Sequence, residues 1–248
     1  MKAFGLIGGI SWRSTMNYYE RINETINGLR SDNTNPFLNL ISLNQREIHD
    51  LQRAGDWTQI AAIFTEAALK LARSGVEGIA FCANTPHKIY WEVQSRLDIP
   101  ILHIGDAIAI EASQQQWTRL GLIGTRFTMS EPFLRDRLAE KGLEVLVPSS
   151  AVQAEMQTRI YDELSTGNFD SSQQTHALEV IHSLVDAGVD AVILGCTEFP
   201  LLLRECACDM PLIDTIRVHC DQIVRFITEA PLEAGLSEPE PEAGPHKS

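Results

Sequence analysis

Residues 75–86 read GVEGIAFCANTP, and residues 188–200 read GVDAVILGCTEFP. Each stretch leaves a glycine turn, runs through a short apolar segment and reaches a cysteine followed by small polar groups. A short apolar run bounded by turn residues is the pattern of a strand buried on both faces, as in a parallel sheet covered by helices. The two stretches belong to a larger repeat. GLIGGISWRSTM from Gly5 pairs with GLIGTRFTMS from Gly121, and DIPIL from Asp98 pairs with DMPLI from Asp209. The three blocks recur in the same order at offsets of 111 to 116 residues. One matching apolar word would mean little. Three in register predict a duplicated α/β unit.

The rest of the chain fits that unit. Strands are predicted at Ala3–Ile7, Leu38–Leu43, Gly78–Phe81, Ile101–Ile104, Leu120–Ile123, Val145–Val147, Ala191–Leu194 and Leu212–Ile213. Helical periodicity predicts helices over Thr15–Leu29, Trp57–Ser74, His87–Ser95, Phe133–Lys141, Ala151–Ser165, Gln173–Ala187 and Thr215–Thr228. The alternation gives an α/β fold of two similar lobes, each a parallel sheet flanked by helices, related by a pseudo-twofold axis. Residues 1–102 with the returning segment 214–228 form the first expected lobe, and 103–213 the second. The last segment, 229–248, is rich in Glu and Pro and has too few large apolar groups to offset its ordering entropy, so disorder is expected there.

Composition narrows the classes of partner. The 248 residues carry a formal charge of −13. Five acids and one base lie in the last twenty residues, so the remainder stays acidic at about −9. No basic stripe is available to neutralise phosphates, which argues against nucleic acid. No apolar run approaches the ~20 residues of a membrane span. The start, MKAFGLIGGISW, reads as a first strand entering a glycine turn, not as a signal peptide. Five cysteines, odd in number and scattered, point away from a disulfide scaffold and toward a cytoplasmic address.

Cys82 and Cys196 occupy corresponding places in the repeat, 114 residues apart. Each follows a predicted strand and precedes a predicted helix start, with Thr85 a candidate N-cap ahead of Pro86 and Thr197-Glu198 a polar start in the second copy. Helix N-termini favour a thiolate, which makes both thiols candidate acid/base groups. A pseudo-twofold would place them on opposite sides of one cleft. That geometry suits removal of a proton from one face of a carbon and delivery of a proton to the other, one sulfur as thiolate and its partner as thiol. Helix-start N–H groups and nearby hydroxyls would hold a substrate carboxylate.

Among the other polar groups, Asn84 and Thr85 are candidate carboxylate holders, and Thr125, at the place of Gly9, could reach the same group. Ser11 and Thr15 either line the cleft or cap the first helix. Cys206, Cys208 and Cys220 read as structural, as do His87 and His103. Cys206-Ala-Cys208 lacks a second ligand pair at zinc-like spacing, so no metal is expected. GLIGGIS is not a dinucleotide fingerprint, and no phosphate-cradling loop occurs.

Gly8-Gly9-Ile10-Ser11-Trp12-Arg13-Ser14-Thr15, Cys82-Ala83-Asn84-Thr85-Pro86-His87 and Gly195-Cys196-Thr197-Glu198 resemble the signature blocks of the aspartate/glutamate racemase family. The likeness covers most of residues 1–228. It implies a cofactor-independent amino-acid racemase with two similar α/β lobes, usually a homodimer. By that resemblance Cys82 and Cys196 are the acid/base pair, and Asn84, Thr85 and Thr197 bind substrate polar groups. Arg46 matches an arginine that holds a substrate carboxylate in aspartate racemases. Many members carry a lysine for the other carboxylate in a DELK block. Here the block reads Asp162-Glu163-Leu164-Ser165, which leaves room for a neutral amino acid. Maleate isomerase and arylmalonate decarboxylase chemistries remain alternatives on the same fold, and a non-catalytic small-anion binding protein is the alternative from another class.

Overall fold

The computed structural model describes residues 1–164, 167–204, 206 and 208–229. In chain order the elements are β1 (Phe4–Gly8), α1 (Trp12–Arg30), β2 (Leu38–Ser42), α2 (Gln45–Ala54), α3 (Trp57–Arg73) and β3 (Gly78–Phe81). A 3₁₀ turn (Thr85–Ile89), α4 (Tyr90–Gln94), β4 (Ile101–Leu102), α5 (Ile104–Gln114), β5 (Arg119–Ile123), α6 (Arg126–Ser130) and α7 (Pro132–Ala139) follow. The remainder is β6 (Glu144–Leu146), α8 (Ser150–Asp162), α9 (Ser171–Asp186), β7 (Ala191–Leu194), α10 (Phe199–Leu202), β8 (Leu212–Asp214) and α11 (Thr215–Thr228).

The strands form two four-stranded sheets, ordered β2-β1-β3-β4 and β6-β5-β7-β8. All six pairings are parallel. The second order is the first with each strand replaced by its repeat partner, so the duplicated sequence makes a duplicated topology. Both sheets are sandwiched, as all-parallel sheets require. Strand alternation divides the first sheet's side chains. Phe4, Leu6, Ala80 and Cys82 pack with Tyr18, Ile22 and Ile26 of α1 and Ile216, Cys220 and Ile223 of α11. Ile7, Ile79 and Phe81 face the other way, onto Ile48, Ile60, Phe64 and Val93.

Two helices exchange sides. α5 follows β4 of the first sheet but buries Ile104, Ala107, Ile108 and Ala112 in the second core. α11 follows β8 of the second sheet but buries its apolar face against the first. The two pack on each other, and α11 also packs along α1.

All eight predicted strands occur, and the differences lie at their ends. The fourth stops at Leu102 because His103 caps α5, its Nδ1 accepting from Gly105 N–H at 2.9 Å. That helix was not anticipated, since IGDAIAIEASQ has apolar residues at both helical and alternating spacing. α2, α6 and α10 were also unanticipated; the latter two are single turns. The segment expected as one helix over His87–Ser95 starts earlier, as a 3₁₀ turn with Pro86 in its first turn. The expectation for 229–248 falls outside the described residues except at Glu229, which caps α11 and pairs with Lys2 at 3.4 Å.

One glycine fixes the first strand-to-helix turn. Gly9 has φ of +87°, and a Cβ there would lie 2.1 Å from the Leu43 carbonyl oxygen, which is backbone and cannot yield. Its N–H donates to Thr15 Oγ1 at 2.9 Å, tying the turn to α1. Gly9→Ala is expected to cost about 2–3 kcal/mol from the unfavourable φ and the clash together, read as a lowered urea midpoint with unchanged slope.

Candidate active site

β3 and β7 each end in the middle of a sheet, and their carboxyl ends carry the two thiols. The hydrogen-bond ladder shows how. Cys82 N–H donates to the Ile7 carbonyl at 2.9 Å, one step past the Ile7–Phe81 pair. In the second sheet the equivalent donor, one step past the Ile123–Leu194 pair, is Gly195, bonded to the Ile123 carbonyl at 2.7 Å. By ladder register Cys82 therefore matches Gly195, and Cys196 lies one residue further along. The two cysteines correspond in the repeat but are offset by one step. Cys82 keeps strand parity and is 1% exposed in the first core, whereas Cys196 sits in the turn beyond its strand at 9%.

The offset gives the thiols different surroundings. Cys196 Sγ donates to Glu198 Oε2 at 2.8 Å, and Thr197 Oγ1 donates to the same oxygen at 2.9 Å. Among the described residues no hydrogen bond reaches Cys82 Sγ; the Cys82 backbone carbonyl accepts from Ser14 Oγ at 2.7 Å. Burial raises the Cys82 thiol above its ordinary range. Burial also raises Cys196, with the Glu198 charge and hydrogen bond adding to the effect. The expectation that helix starts would favour thiolates is thus reversed in this conformation. Desolvation outweighs the short 3₁₀ turn and the single-turn α10, and both sulfurs rest as thiols.

The two strand ends are joined through Asn84. Its Nδ2 donates to the Gly195 carbonyl and to Thr215 Oγ1, both at 3.2 Å. Thr215 spends its own proton on the Leu194 carbonyl at 3.1 Å, so toward Asn84 it can only accept. That fixes the amide orientation and leaves Asn84 Oδ1 buried without a partner among the described residues. An unpartnered amide oxygen accepts hydrogen bonds. Asn84 in this orientation offers an acceptor, suited to an ammonium, whereas the expectation from sequence asks it to hold a carboxylate.

The remaining expected residues divide. Ser11 caps α1, accepting from Ser14 N–H at 3.3 Å, and Thr15 Oγ1 donates to the Ser11 carbonyl at 2.9 Å. Thr125 likewise caps α6, accepting from Thr128 N–H at 3.2 Å. Thr85 opens the 3₁₀ turn, and the cap position falls one residue earlier, on Asn84, without a side-chain capping bond. Arg46 lies in the first turn of α2 with its side chain 81% exposed and paired with Asp50 at 2.8 Å. Ser165 lies outside the described residues. Sequence reading overlooked Ser14 and Thr215, which position Cys82 and Asn84 from distant helices. It also treated Glu198 only as part of a helix start, although its place two residues after a candidate thiol was a signal.

Beneath the turn after Cys82 three histidines cluster. The His87 ring lies 4.4 Å from His103 and 5.6 Å from His219, centroid to centroid. His219 Nε2 bonds the Leu102 carbonyl at 3.0 Å and Nδ1 bonds Tyr18 OH at 2.8 Å. His103 Nδ1 is satisfied as expected, but among the described residues neither ring nitrogen of His87 has a hydrogen-bond partner. Burial lowers all three, His103 to about 3, His219 to about 4 and His87 well below its ordinary value. Depressed histidines leave the unfolded chain binding more protons below pH ~6.5, so stability falls as pH drops through that value toward the folded pKa. From pH 7.5 to 5.5 the cluster should lose about 1 kcal/mol per histidine, read as a falling urea midpoint, with His219→Gln flattening the dependence.

Two parallel sheets of repeated topology, each delivering a thiol at a central strand end, define the two-lobed α/β class anticipated above. The model of the Asp/Glu/Hydantoin racemase family matches residues 7–223. The chain belongs to this family. A candidate Asp/Glu racemase of known structure from Yersinia pestis is 36% identical, with a TM-score of 0.88, covering 92% of this chain and 100% of that one. An aspartate racemase homologue from Pyrococcus horikoshii OT3 is 33% identical, with a TM-score of 0.81 and the same coverage. The broad specificity amino-acid racemase RacX of Bacillus subtilis is 25% identical over 85% of this chain and 92% of its own length. The chain spans about half the length of the streptococcal glutamate racemases that it also matches.

Proposed function

We propose that the protein is an amino-acid racemase that inverts the α-carbon by two-base proton transfer between Cys82 and Cys196. The observation that carries this reading is the Asn84 bridge, which ties the turn after one thiol to the residue preceding the other. Substrate binding replaces buried apolar surroundings with a positive ammonium and a carboxylate, which lowers the cost of a thiolate. Glu198 is placed to take the Cys196 proton, so Cys196 becomes the base while Cys82, still a thiol, protonates the opposite face. The reverse direction exchanges these roles. Asn84 Oδ1 accepts from the ammonium, and Thr85, Thr125 and Thr197 with the neighbouring N–H groups hold the α-carboxylate and stabilise charge as the α-proton leaves. Ser11 supports the first strand-to-helix turn.

The lobes of this reading are 1–102 with 214–228 and 103–213, assembled as a cytoplasmic homodimer acting without pyridoxal. Among the described residues no helix is long and apolar enough to cross a membrane. Aspartate and glutamate are the leading substrates, with Arg46 as the distal carboxylate's partner once it leaves Asp50. The broad specificity of the Bacillus relative and the serine at 165 support a range that extends to neutral side chains. The test is incubation of the purified protein, without pyridoxal phosphate, with single enantiomers of aspartate, glutamate and neutral amino acids. Chiral chromatography should show the antipode forming in both directions. Absence of an antipode across the panel would refute the reading.

A further inference from the structure

Both sulfurs lie on buried residues: Cys82 is 1% exposed and Cys196 9%. An amino acid has to reach both sulfurs, so the two sheet edges must part. What holds them differs on the two faces of the first sheet. On one face α11 is embedded against β1, β3 and α1, and is covalently continuous with β8 of the second sheet. α5 makes the reciprocal crossing, and Arg137 of α7 is tied to α5 through Asp106 at 2.9 and 2.7 Å. On the face covered by α3 there is a separate contact of four side chains without chain continuity. Trp57, at the start of α3, stacks on Phe127 of α6 with centroids 5.0 Å apart and planes at 24°. Lys88, in the turn after β3, sets Nζ 4.5 Å from the Trp57 ring centre and 5.2 Å from that of Phe127. The same Nζ pairs with Glu131, between α6 and α7, at 2.7 Å.

We propose that Trp57, Lys88, Phe127 and Glu131 form a latch across the mouth of the cleft, and that its release, with α5 and α11 as the hinge, admits substrate to the thiols. Every member sits near the carboxyl edge of its sheet: Lys88 and Phe127 follow β3 and β5 within a few residues, and α3 begins at the edge from which it runs back to β3. The contact is of the kind that opens readily. The Lys88 and Glu131 side chains are 27% and 33% exposed, where an ion pair contributes little, and a single aromatic stack is a modest attraction. The crossing helices are held by more, with buried apolar faces on both and the Arg217–Glu111 pair between them at 3.1 Å, its side chains 21% and 18% exposed, so parting follows the side held by the latch alone. The assignment of substrate to Cys82 and Cys196 is taken from the reading above, but the latch is tested on the thiols themselves.

The experiment is iodoacetamide labelling of the native protein, with each cysteine followed by peptide mass spectrometry. Glu131→Gln, Lys88→Met and Trp57→Ala should each speed alkylation of Cys82 and Cys196 by roughly three- to tenfold by raising the open population. Cys220, buried in the core beside α1, should be unchanged, and it reports global loosening. Unchanged labelling at both site cysteines in all three variants would overturn the latch. So would a parallel rise at Cys220. Glu131→Gln is isosteric and partly exposed, so a folded variant is available even if the aromatic truncation is not tolerated. Faster labelling in a protein that racemises nothing would leave the latch standing and remove the racemase reading.

Discussion

Cys82→Ala and Cys196→Ala are each expected to reduce racemisation at least ~10³-fold, since under the proposed two-base transfer each removes a group that gives or takes a proton in every turnover. The two losses should not add, because a cycle lacking either acid or base is already broken. Folding should survive both changes, because the lost sulfur leaves only a small void. Residual chemistry separates the variants. Cys82→Ala retains the Cys196–Glu198 pair and should still exchange the α-proton of one enantiomer with solvent. Cys196→Ala leaves Cys82 without a hydrogen-bonded carboxylate beside it and should exchange much more slowly. Circular dichroism for turnover and NMR for α-deuteration measure these rates. Near-normal turnover in either variant would show that the other sulfur works without it.

The second large effect concerns Glu198. Glu198→Gln keeps the size and an acceptor oxygen beside Cys196 but cannot carry the proton away, so kcat should fall by about 10²–10⁴ with little change in KM. The same change has an opposite effect on the resting thiol. The Glu198 charge contributes to the raised Cys196 pKa, so its removal should move the alkylation profile of Cys196 to lower pH. A carboxylate that merely packed beside the sulfur would move the alkylation profile without the loss of kcat. Loss of turnover together with a downward shift is the signature of a proton acceptor.

Much of this was legible in the chain. The repeated GLIG, the paired apolar runs and the DIPIL and DMPLI words specify β1, β3, β4 and their counterparts, and two identical strand orders follow. What sequence could not resolve was a single residue of register. The run before Cys82 ends in Phe81, whereas that before Cys196 carries an extra Gly195, and only the ladder shows that this glycine takes the place of the first cysteine. The consequence is chemical, since it frees Cys196 from strand parity and lets Glu198 reach its sulfur. Helix-start reasoning misjudged the thiols because it weighed a dipole and not the desolvation that a 1% exposed sulfur suffers. Thr215 and His219 were invisible for another reason. They lie more than 110 residues from Asn84 and Leu102, which they bond, on a helix whose role as a crossing element depends on three-dimensional return of the chain.

The central claim is that two sulfurs flank one α-carbon and act in turn. The most direct measurement is racemisation of a single protiated enantiomer in D₂O, stopped early, with deuterium counted separately in the product and in the recovered substrate. Two-base transfer predicts a fully α-deuterated product and essentially unlabelled remaining substrate, from either enantiomer. Deuterium appearing in recovered substrate as fast as in product would mean one base serving both faces, and would contradict the account.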